Sequence, residues 1–455
     1  LEASTGTNSI VKNYWLQDYK KYFDKYLLPV IAFGVPAIIN LISLVFFTRN
    51  LSFENYGLLS LIWISVEFFA GILYGWTKMG MMRFYDKSLK SVLVSIQLMS
   101  VISVLLILSL LIFQFFNPNV GNYSLIPIVT IGLIVRGVAY YLQDYVRISN
   151  NSLLQYTLIA FLIGFCYYIP AIVYTFLNPE TKATTIVSVQ VLSLGLLCIF
   201  YISPSLYKMR QHLLKLKSKT YYNQFLKYST PIIISTLAIS IFTRVDRYLI
   251  ENFIGLEALG IYSASYNLSN LAISSLFSVI TISSYPKIIR HLNTNEKTAA
   301  QNLYHANSKI FYVLIPVFLA IAILLEEPLC RLMFGDKSIA IGKYFPAIVV
   351  AVYFFNLKVH HLDQKLQFLK KTKVLMMLSL LLGLGHLIFC YLTIKSWGIY
   401  GVAISSIVMS LLAILYIFFY AKKDFDAGLG KKYAILSIIL FLIITTLIFR
   451  KFFIG

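Results

Sequence analysis

Apolar residues fall in long blocks along the chain, broken by short stretches where lysine, arginine, proline and glycine collect. A helix needs ~20 residues to cross the hydrocarbon of a bilayer. Reading the blocks against their breaks predicts about thirteen helical spans. Their expected extents are 27–48, 54–79, 88–116, 123–148, 150–177, 183–206, 222–253, 256–285, 302–326, 338–363, 372–394, 397–420 and 432–450. No segment outside these spans is long enough for a domain of its own; the longest on the expected outer side lies near Glu326–Ser338. The segment Tyr14–Tyr26 interleaves aromatics with lysines, which suits a helix lying in the interface of the cytoplasmic leaflet.

Composition turns this pattern into a class. Of 455 residues, 59% are hydrophobic and only 13% charged, against about 25% charged in soluble domains. A soluble core stops growing near roughly 250–300 residues, so this apolar surplus needs lipid as its solvent. Mean hydropathy is +0.77. The net charge of +21 would suggest nucleic acid in a soluble protein, but the chain holds no basic soluble module, and nucleic acid is not an expected partner. The basic residues instead sit between spans. The clusters Lys12–Lys25, Lys78–Lys90, Lys208–Lys227, Lys287–Lys309, Lys365–Lys373 and Lys422–Lys432 follow every second span. About two-thirds of the basic residues lie on one side if the N-terminus is cytoplasmic, so that orientation is expected. The opening Leu1–Thr7 reads as a cloning remnant. Cys166, Cys198, Cys330 and Cys390 lack metal-ligand spacing and read as small hydrophobes, so neither a disulfide nor a metal is expected.

The most informative feature is an internal repeat. Pro36 is followed by Phe47-Thr48-Arg49, and Pro231 by Phe242-Thr243-Arg244 at the same spacing. The next span then opens with Glu54, Gly57 and Ser60 in one copy and Glu257, Gly260 and Ser263 in the other. The second copy carries about eight extra residues between arginine and glutamate. An even number of spans separates the copies, so the repeat is parallel. Such halves are related by an axis along the membrane normal, with substrate between them near the midplane. The expected organisation is a remnant plus interfacial segment (1–26), a six-helix lobe (27–206), a basic linker (207–221), a second six-helix lobe (222–420), and a loop with an extra helix (421–455). The fold class is thus an all-α integral membrane protein, with two parallel-repeat lobes around a central cavity.

Ionisable groups at membrane depth are costly and face a cavity or each other. Glu67 and Arg136 are the deepest; Arg49 and Arg244 stand at repeat-equivalent places; Asp246 and Arg247 follow Arg244; Asp144 and Lys358 lie nearer the inner ends of their spans. Arginine suits a phosphate because its planar fork stays charged and binds oxygens bidentately. The competing reading is structural, with Glu67 and Arg136 forming a buried pair and helix-end arginines reaching for the interface. His360 and His361 read as interfacial. No Gly-rich phosphate loop or His/Cys ligand cluster marks an enzyme site. The energy source is then an ion gradient or downstream consumption of the cargo, with Asp246, Glu67 and Asp144 as candidates to bind H⁺ or Na⁺.

The opening LLPVIAFGVPAIINLISLVFFTRNLSFENYGLLSL, the stretch TPIIISTLAISIFTRVDRYLIENFIGLEALGIYSASYNLS and the late WGIYGVAISSIV resemble the polysaccharide-exporter branch of the multidrug/oligosaccharidyl-lipid/polysaccharide (MOP) superfamily. Asp246-Arg247-Tyr248, Gly255 and Gly260-Ile261-Tyr262-Ser263 look like Wzx-type O-antigen flippases. The resemblance implies alternating access between two lobes in a bacterial inner membrane. It also implies a cargo of undecaprenyl-pyrophosphate-linked oligosaccharide, with polysaccharide polymerase and assembly proteins as further partners. Family cavity cations carry over to Arg49, Arg136, Arg244, Arg247 and Lys358. A thirteenth span departs from the family's twelve. A lipid II flippase and a cation or drug antiporter of the same superfamily are the rivals. A basic cavity argues against the antiporter, and the lack of a large outer loop against a glycan polymerase.

Overall fold

The computed structural model describes residues 28–85, 90–116, 125–149, 153–213, 219–369 and 371–420, with Thr446. Helices account for nearly all of them. In chain order they are α1 (Leu28–Asn50), α2 (Phe53–Arg83), α3 (Lys90–Phe116), α4 (Leu125–Ser149), α5 (Leu153–Leu177), α6 (Ala183–Leu213), α7 (Lys219–Phe253) and α8 (Leu256–Asn293). Then follow α9 (Lys297–Leu324), the short α10 (Glu326–Phe334) and α11 (Ser338–Gly342), α12 (Phe345–Phe368), and α13 (Thr372–Tyr420).

The first twelve expected spans fall on described helices, the tenth being divided between α11 and α12. The eleventh and twelfth share α13, whose rod breaks at Gly398 (φ 54°, ψ −134°). That left-handed backbone is open to glycine without the Cβ penalty other residues meet. The thirteenth expected span, 432–450, lies outside the described residues apart from Thr446, and the interfacial segment 14–26 lies wholly outside them. Among the described residues, nine helices are long and apolar enough to cross a membrane. Lipid as solvent explains the surface: α3 exposes Val101, Val104, Leu105, Leu108, Leu111 and Phe115 along its length, which water would not tolerate. The protein is an all-α, multi-pass membrane protein.

By contact the chain divides into two compact units. Unit 1 comprises 1–43 and 62–233; unit 2 comprises 44–61 and 234–455. In unit 1, α4, α5 and α6 pack around Ala139, Leu142, Ile159, Ile163, Leu194 and Cys198. A second cluster joins Tyr74 and Met81 of α2 to Val92 and Met99 of α3 and Tyr141 of α4. In unit 2, α12 is the central rod, with four-fifths of its apolar window buried (83%). It packs against α8, α9 and α13, and the lower core gathers Phe242, Leu362, Leu366, Leu378, Leu382 and Ile417.

Unit 2 also holds the Phe-Thr-Arg and Glu-Gly-Ser parts of both repeat copies, whereas Pro36 and Pro231 fall in unit 1. A methyl group added at Gly57 would overlap the Leu256 carbonyl, and one at Gly260 would overlap the Phe53 carbonyl. The first turns of α2 and α8 therefore meet backbone to backbone in a reciprocal contact, as small residues permit between membrane helices. Asn267 of α8 donates to the Tyr56 hydroxyl across the same contact at 3.2 Å.

Candidate functional site

The two arginines that the repeat aligns have different fates. Thr48 and Thr243 behave alike, each hydroxyl returning to the carbonyl four residues back, Leu44 at 2.7 Å and Ile239 at 3.0 Å. Phe47 and Phe242 are both buried. But α1 ends at Asn50, whereas α7 runs on to Phe253, so the extra residues of the second copy are additional helix. Arg49 thus lies in a last turn. Its Nε donates to the Met333 carbonyl at 3.1 Å and its Nη2 to the Leu332 carbonyl, capping the C-terminus of α10 just before Gly335 (φ 60°). In return, the Lys337 ammonium donates to the carbonyls of Thr48 (2.8 Å), Arg49 (3.1 Å) and Leu51 at the end of α1. Two helix C-termini thereby exchange cationic caps, each sign favourable to the helix dipole. Partial burial lowers the pKa of Lys337 from its ordinary value. Lys337 was not legible as a partner of Arg49, because 288 residues separate them.

Arg244 sits nine residues inside the end of α7, half-buried, with no hydrogen bond or ion pair to a described residue. Arg247, one turn further on, is committed. It is 3% exposed, pairs with Asp246 at 3.3 Å, donates to the Thr243 carbonyl at 2.9 Å, and lies 4.2 Å over the Tyr266 ring. Tyr262 donates its hydroxyl to the other Asp246 oxygen. A small cavity beside this cluster is lined by Phe242, Asp246, Tyr262, Tyr266, Phe355 and Ser406. His386, not singled out from the sequence, is fully buried nearby, tilted against Phe242 and sharing a hydrogen bond with Ser405 at 2.9 Å.

Unit 1 carries a ladder of alternating charge. Arg136, Tyr140 and Asp144 recur every four residues on α4, so they share one face. Glu67 and Lys78 are eleven residues apart on α2, about three turns, and share a face too. Arg136 Nε pairs with Glu67 Oε1 at 2.7 Å, Tyr140 donates to Glu67 Oε2 at 2.5 Å, and Lys78 pairs with Asp144 at 2.8 Å. The guanidinium of Arg136 also lies 4.6 Å from the ring centres of both Tyr140 and Tyr167. Cation–π contacts of this kind contribute about 0.5–2 kcal/mol each, more where water is excluded.

Lys358 is 2% exposed and pairs with Asp363 at 2.9 Å. His361, expected at the interface, is instead 1% exposed, stacked on Tyr304 at 4.3 Å. The structure gives the five candidate cations different partners. It pairs Arg136, Arg247 and Lys358 with carboxylates and Arg49 with carbonyls, leaving Arg244 the uncommitted member of the set among the described residues. Each acid considered for ion coupling likewise holds a cation: Asp246 with Arg247, Glu67 with Arg136, Asp144 with Lys78. Among the described residues, no group of three or more His, Cys, Asp or Glu side chains is placed to hold a metal.

Lipid-exposed helices around buried and mostly paired charge define an all-α integral membrane protein. Solved structures agree on the fold. The chain is similar to the lipid II flippase MurJ in an inward closed conformation (TM-score 0.64, 16% identity, 94% of this chain and 100% of that one). It is similar to an inward-facing multidrug resistance MATE transporter of the MOP superfamily (TM-score 0.62, 13% identity, 88% and 98%). A MOP superfamily transporter from Pyrococcus furiosus, described by the reverse polarity of its binding pocket, also shares the fold (TM-score 0.53, 14% identity, 88% and 94%). In sequence, the polysaccharide biosynthesis protein family matches residues 25–292, more than half of the chain, and the MatE family matches 231–392. No curated protein sequence matches it. The chain belongs to the polysaccharide biosynthesis protein family.

Proposed function

We propose that this protein is a flippase for an undecaprenyl-pyrophosphate-linked oligosaccharide, an O-antigen or similar surface-polysaccharide repeat unit. It carries its cargo from the cytoplasmic to the periplasmic leaflet of a bacterial inner membrane by alternating access, with its N-terminus in the cytoplasm. The observation that carries the reading is Arg244: a half-buried guanidinium, inside a helix of a polysaccharide-biosynthesis family member, with no ion pair to a described residue. A pyrophosphate supplies that anion, bound through the planar fork. Arg49, Arg136, Arg247 and Lys358 then act second, each after giving up the partner it now holds. Transport rather than catalysis is the activity. An H⁺ or Na⁺ gradient drives it, entering at Asp246, Glu67 or Asp144 only when the paired cation leaves.

The test is the sidedness of the lipid-linked intermediate in cells lacking the protein, read with a glycan-cleaving enzyme confined to the periplasm. The flippase reading expects the intermediate to be shielded and to become accessible when the protein is restored. Unchanged sidedness together with drug sensitivity would identify a cation exporter instead. The chemical identity of the stranded lipid separates an oligosaccharide flippase from the lipid II alternative.

A further inference from the structure

Two helices of unit 2 each contain one turn of π-helix: Ile310–Leu314 in α9 and Lys358–Leu362 in α12. Such turns interrupt α-helices sparingly and concentrate at functional sites. The two turns face each other. His361 of the second lies 5.0 Å from the Phe311 ring and 5.6 Å from the Tyr312 ring of the first. Each turn is also held by the helix that bears the other. Tyr353 of α12 donates its hydroxyl to the Phe311 carbonyl at 2.8 Å. Tyr304 of α9 donates to the His361 carbonyl at 3.2 Å, and Ser308 shares a hydrogen bond with the His361 ring at 3.0 Å.

The ion pair of α12 depends on this geometry. Lys358 and Asp363 are joined twice, by the backbone bond from the Asp363 N–H to the Lys358 carbonyl and by the side-chain pair at 2.9 Å. Residues five apart stack in a π-turn but stand about 140° apart round an α-helix. Return of the turn to α geometry would therefore pull Lys358 from Asp363 and rotate the end of α12. Asp363 Oδ1 is buried without a hydrogen-bond partner among the described residues, which leaves the pair less than fully secured.

We propose that these two turns form one two-state element: they change register together, and opening of the Lys358–Asp363 pair turns the inner end of α12 against α9. Tyr304 and Tyr353 are its positioning residues, and the bistable element is what alternating access requires of packed helices. Only the link to export rests on the flippase reading; the coupling of the two turns stands apart from any cargo.

Hydrogen exchange of the purified full chain tests the coupling directly. Tyr304→Phe removes the bond to the turn in α12, yet it should speed exchange roughly fivefold in the turn of α9 as well. Tyr353→Phe should do the mirror image. Acceleration confined to the turn that lost its bond, or none at either, overturns the proposal. Deletion of Val359 takes one residue out of the π-turn and fixes α12 in α register. The expected result is a folded protein, judged by its melting temperature, whose glycan export is lost; normal export from that variant overturns the proposal. If the deletion fails to fold, the exchange of the two tyrosine variants decides alone. Coupled exchange in a protein whose loss from cells leaves the sidedness of the lipid-linked intermediate unchanged would retain the switch and count against the flippase reading.

Discussion

Arg136 and Arg244 look interchangeable as basic residues in apolar helices, and their surroundings separate them. Removing one side of a buried pair leaves the other charge unneutralised, at a cost of about 3–5 kcal/mol when burial is complete. The Glu67–Arg136 pair is partly exposed (24% and 15%), so the cost expected here is smaller, about 1–3 kcal/mol. Arg136→Gln and Glu67→Gln should each lower the melting temperature, and the double variant should recover part of the loss. A thermal melt of the four proteins checks this, and additive losses would mean the pair contributes nothing of its own. Arg244→Gln breaks no ion pair to a described residue, so stability should stay within about 0.5 kcal/mol while glycan export falls. Arg244→Lys should keep part of the export, since charge survives and only the fork is lost. Normal export by Arg244→Gln would remove the observation on which the proposed function stands.

At the scale of elements, the Gly57–Gly260 contact predicts a second pattern. A methyl at either position meets a carbonyl of the opposite helix, so Gly57→Ala and Gly260→Ala should each destabilise by about 1–3 kcal/mol through overpacking. Once one substitution has pushed α2 and α8 apart, the second should cost less, and the double variant should fall short of the sum in chemical unfolding. The repeat itself was legible as sequence: Phe-Thr-Arg, then Glu, Gly and Ser in two copies. That its two glycines touch each other was not, since a pattern says which positions correspond and not which ones meet. The caps of α1 and α10 make the same point. Arg49 was visible as a cation near a helix end, but the carbonyls it satisfies belong to a segment 283 residues away.

For the whole molecule, transport should depend on a gradient. Sealed proteoliposomes carrying the lipid-linked cargo should show translocation that collapses when the proton and sodium gradients are dissipated; full activity without either would remove Asp246, Glu67 and Asp144 from the mechanism. The class of the molecule came from one-dimensional information. Hydrophobic blocks of about twenty residues must become helices in lipid, because every backbone donor and acceptor has to be satisfied within the segment. Span positions and the break near Gly398 therefore follow from the order of residues alone. The engagement of the buried charges does not. A charge in low dielectric is held by whichever opposite group the packing brings within about 4 Å, and that depends on the rotation of each helix about its own axis. A shift of one residue in a π-turn is enough to change it. Only the tertiary structure could therefore choose the Glu67–Arg136 pair over a substrate-facing Arg136, assign Asp246 to Arg247 and Asp363 to Lys358, and leave Arg244 without an ion pair among the described residues.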